Sequence, residues 1–449
     1  MRDRGCRRAI SFMAGAAFFV LEKRVGKMDT VENLLDFIAK APSAFHAVEQ
    51  SALRLKEAGF IELEWGEAWK LKRGARYFVR VFGSALVAFC AGRKRRGLRI
   101  AAAHTDFPGF RVKPAAGMNC GGYGMLNVEP YGGLVLASWL DRPLSLAGQV
   151  ALRGKNAFSP EVQLLDFARP LLTIPGLAIH LNRQLNDGVK LNRQTDLMPL
   201  LTLLQKEEEP DFFSRLLARE LGVEKEELLS YDLTVYPYEA GCRFGAGQEF
   251  VSAPRLDNLT SVKACLDGFI NSDGSGVRMI VLFDNEEVGS RTKQGAGSAL
   301  LRQVAEAVYR GLGRSSDELQ ADIAAGFLLS CDVAHGLHPD YLGKADPTNR
   351  PKLNGGVVLK RAASQAYAGD AAAVAVVEAL CRDNNISHQH FVNRSDIPGG
   401  STLGSIASAE MAMRAMDVGV PILSMHSARE TMGADDQQAL TGLLAAFFA

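Results

Sequence analysis

Several of the eight histidines in this 449-residue chain stand beside carboxylates where apolar runs end. His104 and Asp106 close LRIAAAHTD (98–106), and Asp257 begins a helical pattern in SAPRLDNLTS (252–261). Glu286 and Glu287 follow the run VRMIVLF (277–283) in VLFDNEEVGS. Asp332 ends AAGFLLSCD with His335 three residues on, and His426 follows the apolar part of VPILSMHSARE. In an open parallel sheet, strand C-termini converge on one edge and ligands bind there. Carboxylates and imidazoles gathered at that edge form a mixed N/O donor set, which suits zinc or manganese better than calcium.

Two ions fit this set better than one. Three carboxylates beside two imidazoles offset much of the charge of two divalent ions, and one bridging Asp holds such ions roughly 3.5–4 Å apart. A pair of this kind acidifies a water and polarises a carbonyl, while a further unbound carboxylate takes the water's proton. Neighbouring side chains on a regular strand point to opposite faces. NEEVGS therefore carries this chemistry only if the strand ends by about Asp284 and the backbone turns, so that one Glu ligates and its neighbour is the base. Taken singly, Asp257 reads as a helix N-cap and His104 as a core histidine; the recurrence at successive strand ends is what favours metal. His338, His388 and His390 have no partner pattern. GGYG and YGG lack the GxxxxGK context of a phosphate loop, and no Gly-x-Ser-x-Gly elbow is present.

The elements that must position these groups alternate. Residues 29–58 have helical spacing at Leu34, Leu35, Ile38 and Ala39. Strands are expected over 77–92 and 98–106, joined by the basic turn GRKRRG, which reads as a solvated hairpin tip. Residues 110–246 are β-rich and Gly-punctuated, with an acidic KEEEP cluster and two short helical patterns. Beyond Arg255, helix 257–271, strand 277–283, helix 296–312, strand 325–332, helix 370–384 and a helical stretch from 402 predict an α/β sheet with helices on both faces. The interruption predicts an inserted second domain.

Composition sets the frame: 47% hydrophobic and 22% charged residues suit an ordinary globular chain, and a net charge of +1 gives no global field for nucleic acid or membrane. Seven scattered cysteines without a CxxC pair fit reduced thiols and a cytoplasmic location. MRDRGCRRAISFMAGAAFFVL resembles a signal peptide, yet it lacks an A-x-A site and precedes the start-like MDTVENLLDF. Residues 1–27 are read as an extension outside the fold.

The residues resemble the aspartyl aminopeptidases, dinuclear-zinc peptidases related to other co-catalytic zinc aminopeptidases. The resemblance is carried by AAHTDFPGFRVKP (102–114), EPYGGLVLASWLDRPLSLAGQV (129–150), LAIHLNR (177–183), SAPRLDNLTS, LFDNEEVGS, SCDVAHGLHPDY (330–341), RPKLNGGVVLK (350–360), DIPGGSTLGSI (396–406) and DVGVPILSMHSARE (417–430). It implies a zinc-peptidase-like mixed α/β sheet formed by residues 28–109 and 247–449. A β-rich dimerisation and lid domain, 110–246, interrupts it. It implies that His104 and Asp332 hold one zinc, that Glu287 and His426 hold the other, and that Asp257 bridges them; Mn or Co are possible substitutes. Glu286 is implied as the base, with Asp106 orienting His104. His335, Lys360 and Tyr367 are implied to contact substrate, with His180 reaching a neighbouring subunit's site. The implied activity is removal of N-terminal Asp or Glu from peptides through a metal-bridging water. The alternative is broad or neutral specificity. The implied assembly is a homo-oligomer, a tetrahedral dodecamer built from dimers. Phe107 and Ala368-Gly369 depart from the family pattern near the expected substrate pocket, which bears on specificity.

Overall fold

The computed structural model describes residues 29–94, 97–204, 211–397 and 399–449. The 1–27 extension, the KEEEP cluster and Arg95–Arg96 of the basic turn lie outside them. A nine-stranded mixed sheet forms the centre, in the order Ile61–Leu63, Arg76–Val81, Ala85–Cys90, Arg278–Phe283, Arg99–His104, Phe327–Cys331, Ala415–Gly419, Val357–Arg361 and His388–Val392. Its four middle strands, from Arg278–Phe283 to Ala415–Gly419, run parallel. They deliver His104, the turn after Phe283 and Asp332 to one edge.

Alternation along these strands builds two cores. Leu86, Ala88, Ala101, Ala103, Ile280 and Leu282 pack beneath the helices Thr30–Lys40, Ala44–Glu57, Leu256–Ile270 and Asp436–Phe448. Their neighbours Val87, Phe89, Ile100, Ala102, Met279 and Val281 face Leu300–Gly311, Ser316–Ala324 and Leu403–Met411. Helices thus cover both faces, as a buried parallel sheet requires.

Three sequence expectations change. Residues 29–58 are two helices, because Pro42 cannot continue the first and Ser43 caps the second through the His46 amide. Ala85–Cys90 and Arg99–His104 do not form a hairpin; the strand Arg278–Phe283 lies between them, antiparallel to one and parallel to the other. The stretch from 402 is the helix Leu403–Met411, three strands and the helix Asp436–Phe448.

A six-stranded antiparallel sheet is drawn from residues between Gly109 and Pro237, with its own core around Phe110, Leu146 and Val235. A third, five-stranded sheet joins Cys242–Phe244, Phe250–Ala253, Glu430–Gly433, Pro421–Leu423 and Ala334–His335. It brings the segments carrying Asp257, His335 and His426 together. The six described cysteines are free. No helix among the described residues is long and apolar enough to cross a membrane.

The sheet edge tolerates no extra atom at Gly419, where a Cβ would lie 1.8 Å from the Asp332 carbonyl oxygen. Gly419→Ala is expected to lower stability by about 1–3 kcal/mol. A reduced midpoint of thermal unfolding would register it.

Candidate metal centre

The strand Arg278–Phe283 stops where the chemistry begins. Asn285 adopts a left-handed φ of 62°, Glu286–Val288 makes one 3-10 turn, and Gly289 follows at φ 99°. Asn tolerates this region better than most residues. The turn carries both glutamates to one cavity. Asp106 pins it: one carboxylate oxygen accepts the Glu286 amide at 3.1 Å, and the other accepts the Glu287 amide at 3.2 Å and the Tyr131 hydroxyl at 2.7 Å. The Asn285 side chain donates to the Tyr131 oxygen at 2.8 Å and accepts from Thr292 at 2.9 Å. Thus the regular strand ends at Phe283, and Glu286 and Glu287 converge.

Around them the distant segments meet. His104 Nε2 lies 3.5 Å from Asp257 Oδ1 and 3.4 Å from Asp332 Oδ1. His426 Nε2 lies 3.3 Å from Asp257 Oδ2 and 3.4 Å from Glu287 Oε2. One ligand atom from each of His104, Asp257 and Asp332 falls within 4.8 Å of the others, and the same holds for Asp257, Glu287 and His426 and for His104, Glu286 and Glu287. On its far side, His104 Nδ1 faces Asp106, 3.0 Å from its carbonyl oxygen and 3.3 Å from Oδ1. His426 Nδ1 faces the Gly133 carbonyl oxygen at 2.9 Å. Each ring therefore presents Nε2 inward.

The electrostatics favour cations. Burial, followed by Asp257, pushes the Glu287 carboxyl well above its usual range. Burial also pushes Glu286 up to about 8; His104 opposes this, and Asp332, Asp106 and Asp257 add to it. Burial and Asp257 likewise raise Glu430 to about 8. Burial would lower His104, but Asp106, Asp257 and Asp332 outweigh it and raise the imidazole well above its ordinary value. The same contest, won mainly by Asp257, lifts His426 to about 9. Buried Asp257 Oδ1 and Glu287 Oε1 have no hydrogen-bond donor among the described residues. This donor set fits divalent metal, whose binding would displace the protons.

A cavity of about 270 Å³ is walled by Asp257, Glu286, Glu287, Asp332 and His426, with His335, Lys360 and Tyr367 also lining it. Lys360 is buried and already engaged: its ammonium donates to Asp332 Oδ2 at 3.2 Å and to the Val333 carbonyl at 2.9 Å, and it lies 5.3 Å from the Tyr367 ring. His180 is exposed in a turn and does not line this cavity. The two family departures stand next to the cavity lining without forming it: Ala368 follows Tyr367, and Phe107 shares a small neighbouring cavity with Asp257. Phe107 is buried, with its ring 5.5 Å from the Arg255 guanidinium, and the Ala368 amide is held by Asp417. Neither Phe107 nor Ala368-Gly369 lines the cavity. Tyr131, Asn285 and Glu430 went unremarked in the sequence because their partners are mostly remote in the chain or backbone groups. Their presence inside the quoted motifs was the one available signal.

A buried set of imidazoles and carboxylates at the C-terminal edge of a mixed α/β sheet is the donor arrangement of a metallohydrolase. The family described as aminopeptidase I zinc metalloprotease (M18) matches residues 37–448. The chain is 44% identical over 416 residues to a probable M18 family aminopeptidase 2 of Clostridium novyi (strain NT), covering 91% of this chain and 96% of that one. Its fold superposes on the structure of the Ape4 and Nbr1 complex with a TM-score of 0.89 at 33% identity, covering 93% of this chain and 85% of that one. Against the S. cerevisiae mApe1 dodecamer the TM-score is 0.79 at 27% identity, with 94% and 96% covered. The chain belongs to the M18 family. It is a zinc metallo-aminopeptidase, a hydrolase of peptides.

Tyr131→Phe removes one donor to Asp106 and the acceptor used by Asn285. Turnover should fall about tenfold and zinc should be lost at lower chelator concentration. Unchanged turnover and zinc retention would mean that the turn holds its shape without this hydroxyl.

Proposed function

We propose that the chain removes N-terminal residues, preferentially Asp or Glu, at a two-zinc site. His104 and Asp332 would hold one ion and Glu287 and His426 the other, with Asp257 contributing to both, and Glu286 would be the base. The observation that carries this reading is the Asp257 carboxylate. Its Oδ1 faces His104 and its Oδ2 faces His426, so the two oxygens belong to separate ligand clusters. When bound, zinc acidifies water and polarises the scissile carbonyl. Glu286 would accept the proton of the attacking water at its carboxylate as the new C–O bond forms, and return it to the departing amine as the C–N bond breaks. Without metal, burial and Asp332, Asp106 and Asp257 favour the protonated form of Glu286 and His104 opposes it; bound divalent ions would favour the carboxylate, the form a general base needs. Asp106 keeps His104 Nε2 directed inward.

Substrate recognition is assigned to His335, Lys360 and Tyr367 on the cavity wall. Lys360 has three N–H donors, two of which are taken, leaving one for an acidic side chain. A second reading, broad or neutral specificity, is favoured by an adjoining cavity of about 600 Å³. It shares His335, Phe391, Gly400 and Met425 with the first and adds Leu337, Ile397 and Ile422. Residues 28–109 and 247–449 are assigned as the catalytic domain and 110–246 as a dimerisation and lid domain, supported by the separate six-stranded sheet. The dodecameric relative supports a homo-dodecamer here, with His180 reaching a neighbouring subunit's site. Free scattered cysteines support a cytoplasmic location.

Glu286→Gln is expected to lower kcat roughly 10²–10⁴-fold while metal content stays at two ions per chain. Near-normal turnover would remove Glu286 as base. For specificity, kcat/KM on aspartyl and leucyl substrates of the unaltered enzyme should differ at least about tenfold in favour of aspartyl, since a substrate carboxylate adds a charge-assisted hydrogen bond to the remaining Lys360 N–H, worth about 1.5–3 kcal/mol. Equal values, or a leucyl preference, select the broad reading. Lys360→Met is a poorer test, because it also strips Asp332 of its partner.

A further inference from the structure

Glu430 is a buried carboxylate that the chemistry above does not use. It begins the strand Glu430–Gly433, paired in antiparallel register with Ala253, and does not line the metal cavity. Its two oxygens have two different partners. Oε2 accepts the backbone amide of Asp257 at 3.0 Å, and Oε1 accepts that of His426 at 2.8 Å. These residues lie 173 and 4 positions away in sequence. Both segments bend sharply there: Arg255, two residues before Asp257, has φ 58°, and His426 itself has φ 65°. Left-handed non-Gly backbone persists only where surrounding contacts hold it. The neighbouring cation is Arg255, flanked by the Phe107 and Tyr236 rings at 5.5 and 5.4 Å. A small cavity of about 10 Å³ is lined by Phe107, Tyr236, Arg255, Asp257 and Glu430, and Asp257 also lines the metal cavity.

We infer that Glu430 is a positioning residue, a two-pronged clamp that sets the spacing between the bridging Asp257 and His426 and thereby the zinc affinity of the Asp257–Glu287–His426 cluster. The inference rests on the two-ion reading given above. Only a carboxylate presents two acceptor oxygens at this spacing. A glutamine of the same shape offers one acceptor and turns an NH₂ group towards the other backbone N–H. One amide is then left buried without its acceptor, and its segment is free to move away from the cluster. Groups that orient metal ligands from behind typically contribute 10–100-fold in metal affinity.

The test is zinc stoichiometry of Glu430→Gln and unaltered protein at buffered free zinc, with activity followed alongside. The variant should bind its first ion normally and its second roughly 10–100-fold more weakly, with activity restored by excess zinc. A purely structural defect would not be rescued in this way. Unaltered protein that holds two ions alongside a variant that titrates identically overturns the clamp alone. Unaltered protein that never exceeds one ion overturns the two-ion reading, and the clamp with it. Hydrogen exchange on chelator-stripped unaltered protein decides the matter if the variant fails to fold. The Asp257 and His426 amides should stay protected without metal, and exchange at the rate of exposed amides overturns the clamp.

Discussion

The Asp257 carboxylate is 3% exposed, and imidazoles from residues 104 and 426 converge on its two oxygens. A charge so placed is tolerable only when it is surrounded by partners of opposite sign. The rest of the centre follows from that requirement. Asp332, Glu287 and Glu286 bring further negative charge to the same place, and Lys360 neutralises only part of it. Metal, or protons shared among the imidazoles and the Glu286 and Glu287 carboxyls, must supply the remainder. Zinc binding and organisation of the centre are therefore one equilibrium, in which protons leave as metal enters.

The fold meets this requirement by making rigid strands end together and then bending each chain abruptly. Asn285, Arg255 and His426 all lie at positive φ, one at each bend that delivers a proposed ligand or the proposed base. Regular strands would have sent Glu286 and Glu287 to opposite faces. The bends are held by hydrogen bonds from behind: Asp106, Tyr131 and Thr292 at the first, and Glu430 at the other two. Catalytic groups sit on loops here because only irregular backbone aims adjacent side chains at one point, and the sheet supplies the rigidity the loops lack.

Much of this was legible in the sequence because it is local. Short apolar runs ending in His or Asp marked the strands at 99–104 and 327–331, and the alternation of helix and strand patterns placed helices on both faces. What stayed hidden was non-local. Nothing within residues 77–106 indicates that the strand 278–283 inserts between two apparent hairpin partners. Phe107 was marked by its departure from the family pattern, and that its ring packs against Arg255 was not readable, because Arg255 lies far along the chain. Glu430 was invisible for a related reason, since its partners are backbone amides that carry no residue-specific signal.

In the proposed acidic reading, Lys360 links recognition to the metal site. Its ammonium already pairs with Asp332, so an acidic substrate side chain in the proposed pose would join a charge network rather than meet a free cation. The Asp332 carboxylate would then be shared between zinc, the ammonium and, through that ammonium, the substrate. Under this arrangement a substrate carboxylate draws Lys360 partly away from Asp332 and leaves that carboxylate more strongly committed to zinc. Acidic selectivity and metal retention would be thermodynamically linked, each strengthening the other by the same factor. An apolar side chain directed towards Leu337 and Ile422 would leave the network as it stands and gain only from burial. The two specificities thus differ in kind, because only the acidic one acts through the metal centre itself.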